Sequence, residues 1–308
     1  MTRLSAADAV PEALRNAIVA LGNFDGFHLG HQAVVGRAVQ RGFHERRPVI
    51  VATFDPHPVR LFKPDAPPFR LTSLAQREQL FAHAGADAML VFEFDRALAA
   101  TTAEDFVERI IVGAIAAAGI VTGDDFTFGR GRAGDVALLA ELAAVHGVIA
   151  ETVRPVCAGA ERVSSGRIRE ALIVGDIAAA TRLLTRPFAI EGVVEEGNQR
   201  GRELGYPTAN VALGDYQRPR YGVYAVRVRL DDGSEHEGVA NLGIRPMFEP
   251  PKELLEAFIF DFDGDLYGRM IEVDLIAFLR DEAKFASLAA LTEQMRADEA
   301  EARRLLSA

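Results

Sequence analysis

His28 and His31 stand three residues apart in Gly22-Asn23-Phe24-Asp25-Gly26-Phe27-His28-Leu29-Gly30-His31, between a short apolar run and an amphipathic one. A junction of that kind reads as the end of a strand and the start of a helix. At such a place the first N–H groups of the helix are free for an anion, and open parallel sheets bind ligands beyond the carboxyl ends of their strands. Gly22, Gly26 and Gly30 would let backbone approach a phosphate closely, with Asn23, Phe24 and Asp25 completing the loop. The two imidazoles face one way on a helix and can donate to phosphate oxygens. On residue types alone, capping or packing of the helix describes the pair equally well. A zinc site would lack a third ligand at motif spacing.

A second stretch, Arg162-Val163-Ser164-Ser165-Gly166-Arg167-Ile168-Arg169, opens another helix. Ser164, Ser165, Arg167 and Arg169 would clamp a triphosphate or a leaving pyrophosphate, since guanidinium donors suit developing phosphate charge. An N-cap serine beside solvated arginines fits the same letters. A third stretch, Gly201-Arg202-Glu203-Leu204-Gly205-Tyr206-Pro207-Thr208-Ala209-Asn210, sets glycines before a hydroxyl and an amide. Thr208 and Asn210 can ligate Mg²⁺ or bond phosphate oxygens, although by composition alone a turn entering a strand is the better description.

The elements that would position these groups change character along the chain. Apolar runs at 17–22, 49–54, 87–94, 119–123 and 148–153 alternate with helices expected from near His31, Ser73, Thr102 and Asp135, the pattern of a parallel α/β sheet. Ser73 with Gln76 and Thr102 with Asp105 have capping-box spacing. The most apolar stretch, Ile110 to Thr122, is too short to span a bilayer and reads as a buried helix. After Pro187, β-branched and aromatic residues punctuated by glycine predict an antiparallel β unit, with a hairpin at Asp232-Gly233. A helix from Ser287 to Leu306 closes the chain, and Ile177 to Leu184 links the two textures.

A chain of 308 residues exceeds the usual size of one core, and 49% hydrophobic residues suffice for two. A net charge of -10 argues against a general nucleic-acid binder but not against a nucleotide site made of local donors and Mg²⁺. Cys157 is the single cysteine, which excludes an intrachain disulfide and suits the cytoplasm. Asp8 and Glu12 fall where a secretory leader would need apolar residues, so neither leader nor membrane association is expected.

In order along the chain, the Gly22–His31 stretch, Thr53-Phe54-Asp55-Pro56-His57-Pro58, Gly123-Asp124-Asp125-Phe126-Thr127-Phe128-Gly129-Arg130 and the Arg162–Arg169 stretch resemble the HxGH nucleotidylyltransferases. The likeness is to the N-terminal module of bacterial bifunctional riboflavin kinase/FMN adenylyltransferases in particular. The Gly201–Asn210 stretch, Tyr221-Gly222-Val223-Tyr224-Ala225, Gly238-Val239-Ala240-Asn241-Leu242-Gly243, Arg245-Pro246, Asp261 to Gly268 and Phe278 to Glu282 resemble riboflavin kinase. The change of texture puts the domain boundary between Gly175 and Pro187, dividing the chain into 1–182 and 183–308, and the resemblance implies a Rossmann-like first domain and a second that is an antiparallel β-barrel with a C-terminal helix. It implies FAD synthesis by two transfers from Mg-ATP: riboflavin to FMN with release of ADP, then FMN to FAD with release of pyrophosphate. Beyond weak self-association, no macromolecular partner is expected.

Residue by residue, the resemblance places His28 and His31 on ATP phosphates. Ser164, Ser165 and Arg169, with Arg167, fall in a phosphate loop. His57, Asp125, Phe126, Phe128 and Arg280 come beside flavin, and Gly197, Gly201, Gly205 and Pro207 beside the kinase nucleotide. Thr208 and Asn210 would hold Mg²⁺. Glu256 takes the position of the base that accepts a proton from a primary alcohol, whereas its sequence context alone suggests an exposed strand carboxylate. Asp261, Asp263 and Asp265 read as turn residues. Gly166 and Met247 depart from the family pattern, which has a hydroxyl residue at each position.

Overall fold

A computed structural model of the chain describes residues 1–196, 206–245 and 252–307. They form two compact units, Met1–Pro67 with Leu74–Ser164, and Pro68–Ser73 with Ser165–Ala308. The first contains strands β1 (Thr2–Ser5), β2 (Ile18–Leu21), β3 (Val49–Asp55), β4 (Ala88–Glu93), β5 (Gly119–Gly123) and β6 (Ile149–Val153), with a small ladder of β7 (Cys157–Ala158) and β8 (Glu161–Arg162). Its helices are α1 (Leu29–Glu45), α2 (Pro58–Phe62), α3 (Leu74–His83), α4 (Arg96–Ala100), α5 (Ala103–Asp105), which continues as a π-helix over Phe106–Ala114, and α6 (Val136–Val145).

The six main strands are parallel in the order β1-β4-β3-β2-β5-β6. Ile18, Val19, Ala20 and Leu21 are all buried because the sheet is covered on both faces. Val19 and Leu21 join Ile50, Ala52 and Phe106 on one side, and Ile18 and Ala20 join Val51, Phe24 and Phe81 on the other. Strand order reverses about β2, so the loop from Gly22 to His28 leaves the sheet at a topological switch point. Thr102 caps its helix as its spacing predicted, accepting from the Asp105 N–H at 3.1 Å.

The expected buried helix over Ile110–Thr122 is corrected. The π-helix ends at Ala114, Ala116 turns through a left-handed φ of 53°, and β5 begins at Gly119. Apolar content alone does not tell a buried helix from a buried strand, and here one run supplies both. Strand β1 escaped the sequence reading because only Leu4 of Thr-Arg-Leu-Ser is buried.

The second unit is built on β9 (Phe188–Glu195), β10 (Thr208–Ala212), β11 (Gly222–Leu230), β12 (Glu235–Arg245), β13 (Lys252–Ile259) and β14 (Met270–Arg280), which close as β10-β13-β12-β11-β14-β9. Every pairing is antiparallel, and β10 with β9 completes the ring. Val211, Leu242, Leu255, Ala257 and Tyr224 fill the inside and are fully buried. The Asp232-Gly233 hairpin forms, with Gly233 at φ 85° and the Ser234 N–H donating to the Asp232 carboxylate at 2.9 Å. Among its described residues are helices α7 (Ser165–Val174), α8 (Ile177–Leu184) and α9 (Leu288–Leu306). Helix α9 starts at an N-capping Ser287 and lays Ala302 and Leu306 against Phe258, Phe260 and Val239 on the outer face. Residues Pro68–Ser73 run here as a strap: the Arg70 N–H donates to Asp215 O at 2.9 Å, the Gln217 N–H to Arg70 O at 2.7 Å, and the Ser73 hydroxyl to Glu191.

Candidate active sites

In the first unit the loop after β2 is shaped by two aromatic anchors. Phe24 and Phe27 adopt positive φ, 50° and 41°, which is unfavourable for residues with a Cβ. Both rings are buried edge-on against Phe81, at 5.7 and 5.1 Å, and this packing offsets the backbone cost. His28 then caps α1, its Nδ1 accepting the His31 backbone N–H at 3.3 Å. An accepting Nδ1 puts the proton of a neutral ring on Nε2. The two imidazoles stack with centroids 3.7 Å apart at the positive end of a 17-residue helix. The sequence-predicted pair is thus brought together where an anion would be held. Gly30 leaves room for it, because a Cβ there would lie 3.2 Å from the His28 ring.

The same end of the sheet holds a residue that sequence reasoning missed. Arg77, on α3, is 3% exposed and donates to Thr53 Oγ1 at 2.9 Å and Asn23 O at 3.2 Å, with Asp55 at 3.5 Å. Thr53 Oγ1 also donates to Asn23 O at 2.8 Å, so the loops after β2 and β3 are tied together. Nothing in the spacing of a lone arginine on an amphipathic helix announces this.

The flavin residues implied by resemblance have different surroundings. His57 caps α2, accepting the Val59 N–H at 3.2 Å. Asp125 is exposed and pairs with Arg162 at 3.0 Å. Phe126 stacks on Phe128 with centroids 5.8 Å apart, but Phe128 itself is buried in the core against Phe106. Ser164 closes the unit, following Val163, whose carbonyl lies 3.8 Å from a Cβ built on Gly30.

In the second unit Ser165 opens α7, Arg167 is half-buried two residues on, and Arg169 donates to Phe69 O at 2.7 Å with its guanidinium over the Phe69 ring. Pro207 is exposed, Thr208 half-buried and Asn210 5% exposed. Gly197, Gly201, Gly205 and Met247 lie outside the described residues. Asn210 on β10 is registered with Glu256 on β13, and Glu256 with Asn241 on β12. Register partners in an antiparallel pair share a face. Because Leu255 and Ala257 fill the interior, these three residues stand on the outside of the barrel. The row continues through Val223 to Arg280, whose guanidinium is held bidentately by Asp298 of α9 at 2.8 and 2.7 Å. Tyr206 packs on Phe258 beside it, with centroids 4.8 Å apart. Asp261 and Asp265 sit in the turn between β13 and β14, as expected, Asp261 paired with Arg303 and Asp265 accepting the Tyr267 N–H at 3.0 Å.

Among the described residues no group of three or more His, Cys, Asp or Glu side chains could hold a metal. Thr208 and Asn210 nevertheless fit a hard cation, since both offer neutral oxygen donors two residues apart on one strand. Two such donors suit an ion whose remaining ligands are phosphates and water.

The FAD synthetase family model matches residues 10–167 and the riboflavin kinase model residues 184–306. The bifunctional riboflavin kinase/FMN adenylyltransferase of Escherichia coli (strain K12) is 40% identical over 286 residues, 93% of this chain and 91% of its own. The chain belongs to this bifunctional family. The Pseudomonas fluorescens bifunctional riboflavin kinase/FMN adenylyltransferase is 40% identical over 292 residues, 94% of this chain and 93% of its own. A crystal structure from Streptococcus pneumoniae, described as a macrolide-efflux protein, superposes with a TM-score of 0.87 at 31% identity, covering 98% of this chain and 99% of that one. No helix among the described residues is long and apolar enough to cross a membrane. As a family member the chain pairs a riboflavin kinase with an FMN adenylyltransferase, the two activities of FAD synthesis by way of FMN.

Proposed function

We propose that the barrel unit phosphorylates riboflavin through Glu256, Thr208 and Asn210, and that the parallel-sheet unit adenylylates FMN through His28 and His31. The observation that carries the kinase half is the register of Asn210 beside Glu256, which sets a buried oxygen donor next to a carboxylate on one outer row. A primary alcohol is a weak nucleophile, and Glu256 takes its proton as the oxygen bonds to the γ-phosphorus and ADP departs. Thr208 and Asn210 would hold Mg²⁺. When bound, the ion neutralises the charge that develops across the transferring group.

The adenylyl step needs no base, because the phosphate of FMN is already anionic when it attacks the α-phosphorus and displaces pyrophosphate. Alignment and charge neutralisation suffice. His28, with its proton on Nε2, and His31 donate to ATP phosphates at the helix N-terminus. Ser164, Ser165, Arg167 and Arg169 are assigned to phosphate contact. We assign Asp125 and Phe126 to flavin contact in this half.

Purified protein incubated with riboflavin and Mg-ATP should yield FMN and then FAD on chromatography. Glu256→Gln should remove FMN formation while supplied FMN still becomes FAD. His31→Ala should stop at FMN, with the adenylyl rate down about 10²- to 10³-fold. Loss of the opposite activity in either variant would reject the assignment.

A further inference from the structure

Asn241 has no role in the assignment above, yet it stands directly opposite Glu256 on β12, as Asn210 does on β10. Its Oδ1 is buried with no hydrogen-bond partner among the described residues. A buried acceptor without a donor is costly, and native structures seldom retain one without a reason. Here the register supplies the reason. The side chain facing Asn241 is a carboxylate, and an ionised carboxylate is acceptor-only, so it has nothing to give Oδ1. Cross-strand partners have Cβ atoms about 4.5–5.5 Å apart, within reach of one hydrogen bond between an Asn and a Glu side chain.

We propose that Asn241 is a positioning residue for the kinase step, whose Oδ1 accepts a hydrogen bond from Glu256 as Glu256 takes up the substrate proton. The inference rests on Glu256 being the base. In the transfer, the hydroxyl O–H bond of riboflavin breaks and its proton passes to a Glu256 oxygen. The hydroxyl oxygen bonds to the γ-phosphorus, and the bond from that phosphorus to the bridging oxygen breaks, leaving its electron pair on ADP. Glu256 has then become a carboxylic acid with an O–H to donate, and the acceptor it needs is already in place, desolvated and fixed by strand pairing. Because the contact develops as the proton moves onto Glu256 and is missing while Glu256 is ionised, it favours the transition state over the bound substrate. It therefore acts on kcat and leaves riboflavin affinity alone.

The other charged members of the row are engaged elsewhere. Glu195, registered with Asn210, pairs with Lys252 at 2.7 Å, and Arg280 is held by Asp298. Neither is left to take over from Asn241.

The test uses the full chain. Asn241→Leu keeps the volume and removes the acceptor, and Asn241→Ser restores a shorter one. Asn241→Leu should lower the kinase kcat about ten- to a hundredfold, the rate equivalent of one buried polar group left unpaired. The KM for riboflavin, and riboflavin binding read by quenching of flavin fluorescence without ATP, should stay within about twofold. Conversion of supplied FMN to FAD should be unchanged, and Asn241→Ser should recover part of the lost kcat. A kcat within twofold of the parent in Asn241→Leu overturns the proposal, and so does riboflavin binding that falls in step with kcat, the mark of a packing role. If Asn241→Leu fails to fold, Asn241→Ser decides by the same split. A parent protein that binds riboflavin but forms no FMN would instead overturn the kinase reading itself, a result visible before any variant is made.

Discussion

Gly30→Ala separates stability from catalysis in the adenylyl half. Gly30 lies in the first turn of α1 without a positive φ, so alanine meets no backbone strain there. By helix propensity the change favours the fold by up to about 1 kcal/mol, less so close to a helix end. The new Cβ, however, would lie 3.2 Å from His28 Cε1 and 3.3 Å from Nδ1, where ordinary contact begins at 3.4 Å. The ring is stacked on His31 at 3.7 Å and bonded to its N–H, so it yields only by moving the pair a few tenths of an ångström. A misplacement of about 1 Å costs about 10²-fold, so a shift of this size should slow adenylyl transfer roughly three- to tenfold. The assay follows FMN and Mg-ATP to FAD by chromatography, with kinase turnover in the same preparation as internal control and thermal melting as the check on folding. An unchanged FAD rate with an intact melt would show that the position of His28 does not limit the reaction. Equal losses in both activities would show that the substitution acts through the fold.

Two further outcomes follow from buried charges. Arg77→Met removes a guanidinium that ties Asn23, Thr53 and Asp55 together, and should destabilise the first unit by about 3–5 kcal/mol. On warming, FAD formation should then fail before FMN formation, and simultaneous loss would count against the assignment. Asp274 is held up at about 6 by burial first and by the neighbouring Glu272 charge second. Its folded value lies above the unfolded one, so between about pH 4 and pH 6 the native state binds a proton that the unfolded chain does not. The stability of the parent relative to Asp274→Asn should therefore fall with rising pH across that window, by up to about 3 kcal/mol, and level off above it. A pH-independent difference in urea unfolding would contradict this.

The sequence revealed most where burial is two-sided or turn chemistry is strong. Strands β2 to β5 carry mainly apolar runs because helices cover both faces, and Asp232-Gly233 announced its hairpin because few other residues tolerate that backbone. The His28–His31 pair was legible as a strand-to-helix junction, though whether it packed or pointed into a site was not. What escaped depends on pairing at a distance. Thr2–Ser5 is an edge strand with one buried residue, and the strap at Pro68–Ser73 finds its partners at Asp215, Gln217 and Glu191, far along the chain. Arg77 acts through carbonyls that any residue possesses. Asn241 was visible in its motif, but only register puts it opposite Glu256.

Ring closure of the barrel also bears on how such a protein can change over time. The spacing of Asn210, Glu256 and Asn241 is dictated by ladders on both sides of β13, and no strand can slide by one residue without dismantling two neighbours. The Asp232-Gly233 tip contributes nothing to that spacing. Hairpin tips of this kind are free to lengthen, shorten or acquire new residues while the row stays put, so the barrel can be varied at its rim generation after generation with its chemistry unchanged.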